Sequence, residues 1–506
     1  MQRQSDRLPG ARGRAARCLL LLWIILLIGG SREEKSWAQA GNREEVALYT
    51  FAVRAYQDGL YDLAKQQFQQ YLTRFPQGAR RGEVQFYLGE LAFQAKQYEQ
   101  AVQYYRQALP TLPDPVRTPA RFKLGKLLYQ LQRYPEVIEV LAPLRDQPGR
   151  WQEEALYWSG EAALKGGKLS EALPFWEQLL QAFPQGNYAA YAYYARGWIR
   201  QQQGKYALAL QDFQKIEVLF PQSPLLLPAQ LAMAHLLLTL ERYGEAEEKF
   251  RWILEQDREE RYQEEALFGW AESLLHARRY AEAVTAYERY RSTFPQGRWS
   301  ETVLYNLGRA YYVQKEFAKA VELFREVRER FPQSSYLSSL LLMQARSYRA
   351  LQQPQKAVQA YTEFLATAPQ GQMRFLALSE RGMLFYRLHR LDQARADFSQ
   401  LRTPKAPAEL QTLAEYMLGE IAFQGKEYEA ALSHYLAVSQ YPDTPAEVWY
   451  KLGYAYAVRK QYPPAVKALE KYLTFPLEQV DRKRGLALLI RVLLRQGDYE
   501  KAIARY

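Results

Sequence analysis

An alanine recurs along this 506-residue chain at nearly constant spacing: Ala64, Ala101, Ala172, Ala209, Ala246, Ala283, Ala320, Ala357, Ala394, Ala431, Ala465 and Ala502, with Val137 in the one missing place. Twelve residues before each stands a small residue, most often glycine: Ala52, Gly89, Gly125, Gly160, Gly197, Ala234, Ala271, Gly308, Ala345, Gly382, Gly419 and Gly453; Ile490 departs from that series. Most steps are 37 residues, and the others are 34, 35 or 36. The chain beyond its N-terminal segment is therefore one unit copied thirteen times. Such a unit is too short to bury an apolar face alone, so the copies must stack on one another.

The clearest copy runs from Leu304 to Phe324. Leu304, Leu307 and Tyr311 follow three- and four-residue steps, which predicts a helix, and Gly308 lies on the same face. Gln314-Lys315-Glu316 reads as a polar turn, and Phe317, Ala320, Val321 and Phe324 resume the helical spacing. Each repeat is thus predicted to be a hairpin of two helices, A and B. Glycine and alanine are the small contacts that let the helices approach. Sixteen residues past each glycine position comes a large apolar residue, from Phe68 and Tyr105 through Trp176 and Phe324 to Tyr506. It reads as a knob filling the gap between one repeat and the next. Helix B ends at a fixed phase in Phe75-Pro76-Gln77-Gly78, Phe183-Pro184-Gln185-Gly186, Phe294-Pro295-Gln296-Gly297 and their equivalents. Proline stops the hydrogen-bond ladder, and glycine is expected to take a left-handed turn. Pro110–Pro119 and Pro404–Pro407 keep the phase and read as inter-repeat loops. The sixth joint lacks the proline and carries the charged run Asp257–Arg261 instead.

A small residue in helix A, alanine twelve later, a large apolar residue sixteen later and proline some twenty-four later together resemble the tetratricopeptide repeat, over residues 43–506. The 37-residue period with its F-P-x-[GS] ending is similar to the repeats of two bacterial envelope proteins. These are the cell-division coordinator that partners Tol–Pal and the outer-membrane-protein assembly lipoprotein. This chain lacks the coiled coil of the first and the post-signal cysteine of the second. The resemblance implies an all-α fold, a right-handed superhelix of about 26 antiparallel helices with helix A lining the concave face, binding proteins or peptides there. The carboxylate clamp of chaperone-binding repeats is not matched. The last helix B stops at Tyr506 with no polar capping helix, so the last repeat reads as incomplete and the native chain is expected to continue or to be covered by a partner.

The N-terminus carries Arg3, Arg7, Arg12, Arg14 and Arg17, then the apolar run Leu19–Ile28 and Gly29-Gly30. A run of about ten residues suits a signal peptide and is short for a span of about 20. Ala38-Gln39-Ala40 offers a cleavage site before Gly41, with an uncleaved anchor as the rival reading. Either places the repeats outside the cytoplasmic membrane, in the periplasm or otherwise exported, with outer-membrane association open. Cys18 precedes the apolar run, where a lipid-bearing cysteine would follow it, and the chain has no other cysteine. Residues 1–40 hold seven Lys/Arg and three Asp/Glu, so +8 of the net +12 belongs to the remainder. That mild excess fits acidic partners, an anionic surface or an ordinary solvated helical protein; nothing in it suggests nucleic acid.

His235, His276, His389 and His434 fall in different repeats at different phases, without metal-ligand spacing. There is no nucleophile elbow, no phosphate loop and no cofactor loop; Lys165-Gly166-Gly167-Lys168 is the turn between helices A and B. The expectation is no metal, no cofactor and no catalysis. The competing class is a scaffold belonging to an envelope enzyme or export complex whose catalytic or anchoring domain lies outside this chain.

Residues three before and four after each helix-A glycine project together and are rich in rings: Tyr49, Phe86, Phe122, Tyr157, Tyr194, Phe268, Tyr305, Tyr416 and Tyr450 before, Tyr56, Phe93, Tyr129, Tyr312, Tyr386 and Phe423 after. They predict an aromatic ladder in the groove, or else plain packing between adjacent A helices. Among them Arg309, Arg346, Arg349 and Arg387 lie near Tyr305, Tyr312 and Tyr386, and the phase of Arg309 and Arg346 holds Glu90, Glu161, Glu272 and Glu420 in other repeats. These seven residues form the candidate partner-binding site, an anion-accepting pocket for a peptide carboxylate or acidic segment, because guanidinium pairs carboxylate in a fork. A solvated face is the alternative.

Overall fold

The computed structural model describes residues 43–149, 151–367, 370–441 and 443–505. Residues 1–40, expected to be a signal segment with cleavage before Gly41, lie outside the described residues. Those residues form 26 helices and no strand, alternating as helix A and helix B through thirteen pairs, from Arg43–Gln57 and Tyr61–Arg74 to Gln479–Gln496 and Tyr499–Arg505. Two compact units divide at Leu236/Leu237, within the helix Leu226–Thr239. Inside each unit a helix packs chiefly on the helices before and after it in sequence. The core is accordingly a row of local clusters, such as Ala52, Phe68 and Tyr87 in the first unit and Ala320, Phe324 and Leu341 in the second.

The spacing of small and large residues explains the hairpin. Phe324 is fully buried, and a Cβ added at Gly308 would sit 2.6 Å from its Cε1. Tyr105 is held in the same way against Gly89, and Tyr435 against Gly419. The knob thus packs first on the glycine of its own repeat, and only its far side reaches the next one, as where Phe68 stacks on Tyr87 at 5.2 Å. The predicted filling of the gap between repeats is its secondary contact.

Left-handed backbone occurs at the A–B turn; of the helix-B endings, Gly371 has positive φ, but Gly78, Gly186 and Gly297 do not take the left-handed turn the sequence suggested. Lys96, Gln132, Gly167, Gly204, Lys315, Gln352, His389 and Lys426 all have positive φ at the seventh residue past the small position. In repeat eight Glu316 N donates to Tyr311 O at 2.9 Å and Lys315 N to Tyr312 O at 3.1 Å, a bond pattern that closes a helix only with that residue left-handed. A side chain there costs about 1 kcal/mol relative to glycine. Lys315→Gly should therefore raise stability by about 0.5–1 kcal/mol, and adding Lys96→Gly and Lys426→Gly should be additive because the sites are distant. Urea titration checks both; no gain from the triple variant would show that the turn carries no strain.

The glycine of the F-P-x-G ending is required for space instead. A Cβ on Gly297 would lie 2.5 Å from Tyr290 Oη, and one on Gly78 2.5 Å from Tyr71 Oη. A glutamate from the first turn of helix A reaches across to this loop. Glu264 accepts from Tyr290 Oη at 2.7 Å and Arg298 N at 2.5 Å, Glu153 from Tyr188 N at 2.6 Å, and Glu45 from Ala79 N at 2.7 Å. The carboxylate satisfies loop amides that proline and the turn leave without helix partners. At the sixth joint, where proline is missing, buried Asp257 does this by accepting from Tyr262 N at 2.5 Å. The proline-rich stretches belong partly to helices: Pro115 and Pro119 lie in Asp114–Gln130, and Pro407 immediately precedes Ala408–Gln424.

Candidate partner-binding surface

The two rungs of the aromatic ladder have different roles. The rung three before the small position is mostly internal: Tyr49, Phe86, Phe122, Tyr305 and Tyr450 are all buried. Several of its rings stack on the residue that leads into the next helix A. Tyr305 lies on Tyr336 at 4.2 Å and 9°, Phe268 on Trp299 at 5.1 Å and 5°, and Tyr157 on Tyr188 at 4.4 Å. Tyr305 is therefore a packing residue, and its place in the predicted site is corrected on that ground. The rung four after the small position is half-buried in Phe93, Tyr129, Tyr312, Tyr386 and Phe423, with ring surface left open.

Charges on helix A follow a rule that spans the seam between repeats. The residue just after the small position meets the residue two before the small position of the next repeat, and the knob tyrosine often joins them. Lys123 Nζ contacts Glu90 at 2.6 Å, where Tyr105 Oη also donates at 2.6 Å. Lys451 Nζ contacts Glu420 at 2.6 Å, joined by Tyr435 Oη at 2.7 Å. Asn306 Nδ2 donates to Glu272 at 2.7 Å, with Tyr287 Oη on the same carboxylate. Lys126 Nζ lies 5.6 Å from the Trp158 ring centre, a cation–π form of the same contact.

Two predicted arginines are absorbed by this rule with its polarity reversed. Arg346 Nε donates to Glu380 at 3.0 Å, Tyr361 Oη donates to the same carboxylate, and Arg349 lies 3.7 Å from it. Burial depresses the Arg346 guanidinium, but the hydrogen bond and charge of Glu380 outweigh it and leave it above its ordinary value. The anion for this pair comes from the chain itself. Arg346 is thus a seam residue, and the two-arginine pocket expected at repeats nine and ten already holds an internal carboxylate. Tyr312 stands beside it, with its ring 5.7 Å from Phe317.

Arg309 and Arg387 differ. The seam position opposite Arg309 is Met343, so exposed Arg309 finds only Asn306 Oδ1 at 2.9 Å and the Tyr305 ring at 5.6 Å. Arg387 is exposed, and neither arginine has a carboxylate within ion-pair range among the described residues. Arg387 lines a cleft of about 460 Å³ with Tyr386, His389, Glu420, Phe423, Gln424 and Lys451. Burial and then the Glu420 charge raise the Tyr386 hydroxyl, keeping it a neutral donor, and adjacent Tyr416 is pushed up to about 12 by the same causes. The cleft therefore offers two half-buried rings, an amide, the exposed Arg387 and the Glu420 carboxylate that Lys451 pairs. Gln424, His389 and Lys451 escaped the sequence reading because they lie at other phases, and they meet only through stacking. Glu380 was legible in principle, since it stands two before Gly382 as Lys123 stands two before Gly125.

The histidines take separate roles. His434 Nδ1 is 2.7 Å from Glu415, and His276 stacks on Tyr243 at 5.5 Å. Among the described residues no group of three or more His, Cys, Asp or Glu is placed to hold a metal ion, and no helix is long and apolar enough to cross a membrane.

Family models described as tetratricopeptide repeat match much of the chain. One matches residues 49–114, 160–224, 231–298, 342–409 and 379–445, and others match 92–164 and 299–370. No curated protein matches. Among solved structures, that of Naa15/Naa10 bound to HypK-THB is 15% identical, with 91% of this chain and 80% of that chain covered and a TM-score of 0.36. A tetratricopeptide repeat protein from Parabacteroides merdae is 17% identical, with 60% and 99% covered and a TM-score of 0.25. YrrB, a TPR protein with an unusual peptide-binding site, is 20% identical, with 35% and 86% covered and a TM-score of 0.31.

Proposed function

The chain belongs to the tetratricopeptide repeat family, and from that premise we propose a non-catalytic scaffold that holds an extended acidic segment of a partner protein on the helix-A surface of repeats eight to twelve. Binding of protein or peptide partners is the common work of this family. One observation carries the finer reading: most charges at the helix-A seams are met by the chain itself, yet Arg309 and Arg387 present guanidinium groups with no carboxylate in ion-pair range among the described residues. A partner carboxylate would supply the fork that the chain withholds there. Tyr386 and Phe423 beside Arg387 supply ring surface for an apolar neighbour of that carboxylate. The arginine-rich start and the apolar run Leu19–Ile28 support an exported, periplasmic setting, with outer-membrane association through other proteins.

The test places photo-reactive residues at Tyr312 and Tyr386 and recovers adducts from the envelope fraction. Reversing Arg309→Glu together with Arg387→Glu should cut adduct yield about tenfold or more, the worth of one or two charge-assisted hydrogen bonds. Both side chains are exposed, so melting should be unchanged. Arg346 is unsuitable for reversal, because a glutamate there would face Glu380 and open the seam. Adducts that persist through the reversal, or that form only on helix-B positions, would refute the proposal.

A further inference from the structure

The seam rule fails at a second place, with the opposite sign. Glu161 follows Gly160 as Glu90 follows Gly89 and Glu420 follows Gly419. In those repeats a tyrosine hydroxyl and a lysine both reach the carboxylate. In repeat four the knob is Trp176, which carries no hydroxyl, and the seam position of repeat five is Ala195. Both partners are therefore missing together. Glu161 has no hydrogen bond or ion pair among the described residues; its nearest charge of influence is Lys165, one helical turn on and exposed. Burial raises its carboxyl above the ordinary range against the pull of Lys165.

Aromatic rings lie at the same seam: Tyr157 stands one helical turn before Glu161 in the helix Gln152–Lys165, and Tyr129 comes from helix A of the preceding repeat. Tyr129 and Trp158 meet edge to face at 5.1 Å, and Tyr157 and Trp158 at 5.4 Å. After burial, the Glu161 charge is the chief influence raising the hydroxyls of both Tyr129 and Tyr157, so the rings and the carboxylate share one environment. The buried indole N–H groups of Trp158 and Trp176 also lack acceptors. Lys126, which lies over the Trp158 ring, pairs with Glu154 at 2.7 Å and forms no ion pair with Glu161.

We propose that Glu161, flanked by Tyr129 and Tyr157, receives a basic side chain, a lysine or arginine, of an extended partner segment, which takes the place that Lys123 and Lys451 occupy at the other seams. A carboxylate between rings suits an ammonium or guanidinium group, since ion pairing and cation–π attraction act on the same charge. The inference rests on the reading that the helix-A surface binds partners, and it adds a second recognition point of opposite sign within the first unit.

The test uses a flexible glycine- and serine-rich peptide with one central lysine and its norleucine counterpart. Each is titrated against protein labelled with 5-fluorotryptophan, and the Trp158 and Trp176 fluorine signals are followed. The lysine peptide should move the Trp158 signal and bind about tenfold tighter than the norleucine peptide, as a charge-assisted contact is worth. Glu161→Gln should remove that preference. Ala195→Lys should remove it too, because an internal ammonium then fills the place, and should raise the melting temperature. Equal binding of the two peptides, or a preference that survives both substitutions, overturns the inference. Adducts at Tyr386 report separately on the parent reading. Their presence without lysine preference sinks only this inference, and their absence together with silent tryptophan signals sinks both.

Discussion

Asp212→Ala should cost about 3–5 kcal/mol, the range for stranding one partner of a buried ion pair. Asp212 is 2% exposed and receives Arg196 Nη2 at 2.6 Å and Arg200 Nη1 at 2.9 Å. Removing the carboxylate leaves two guanidinium groups side by side in a site largely closed to water. The intact cluster is not itself a large source of stability. Burial raises the Asp212 carboxyl in spite of both arginines, so desolvation outweighs the pairing. Replacing the whole cluster, with Arg196→Met, Arg200→Met and Asp212→Leu, should therefore recover most of the loss. By contrast, the exposed pair of Arg242 and Glu245 at 2.7 Å should be worth less than about 1 kcal/mol. Urea denaturation of the two Asp212 variants decides the matter; a single variant within 1 kcal/mol of wild type would show that the site admits water.

Phe324→Ala should cost about 3–5 kcal/mol, and the damage should stay local. The ring is fully buried against Gly308, whose missing side chain cannot expand to fill the cavity. Each helix packs mainly on its sequence neighbours, so lost contacts fall on Ser300–Val313, Phe317–Arg330 and Leu337–Ala350. Hydrogen exchange read by mass spectrometry is the suitable measurement, because an array of repeats need not unfold in one step. Protection should fall across those three helices and stay near wild type in Tyr462–Leu473. A uniform loss throughout the second unit would mean that the unit unfolds as a single cooperative block.

Much of this was legible in the sequence because the forces that set it are local or periodic. A period of 37 with small residues twelve apart, and a knob sixteen beyond the first of them, leaves a helical hairpin as the packing that buries the knob on the glycine. The polar turn at Gln314-Lys315-Glu316 was equally plain. Its left-handed residue was not, since nine repeats use Lys, Gln, Glu, Arg or His there and accept the strain. The ladder was half legible. Both rungs show the same ring-rich composition, but the earlier one is buried at Tyr49, Phe86, Phe122, Tyr305 and Tyr450, while in the later one only Tyr56 is buried.

The sequence by itself determined the all-helical repeat, the phase of every hairpin and the residue types that crowd helix A. Only the tertiary structure decided which of those charges are already spent. Arg346 and Glu380 are 34 residues apart, and Glu161 stands opposite Ala195 at the same separation. An ion pair across a seam forms only when two repeats stack, so the chemistry of one column depends on what the next repeat places against it. That is why Arg346 became part of the packing, while Arg309, Arg387 and Glu161 have no ion pair among the described residues.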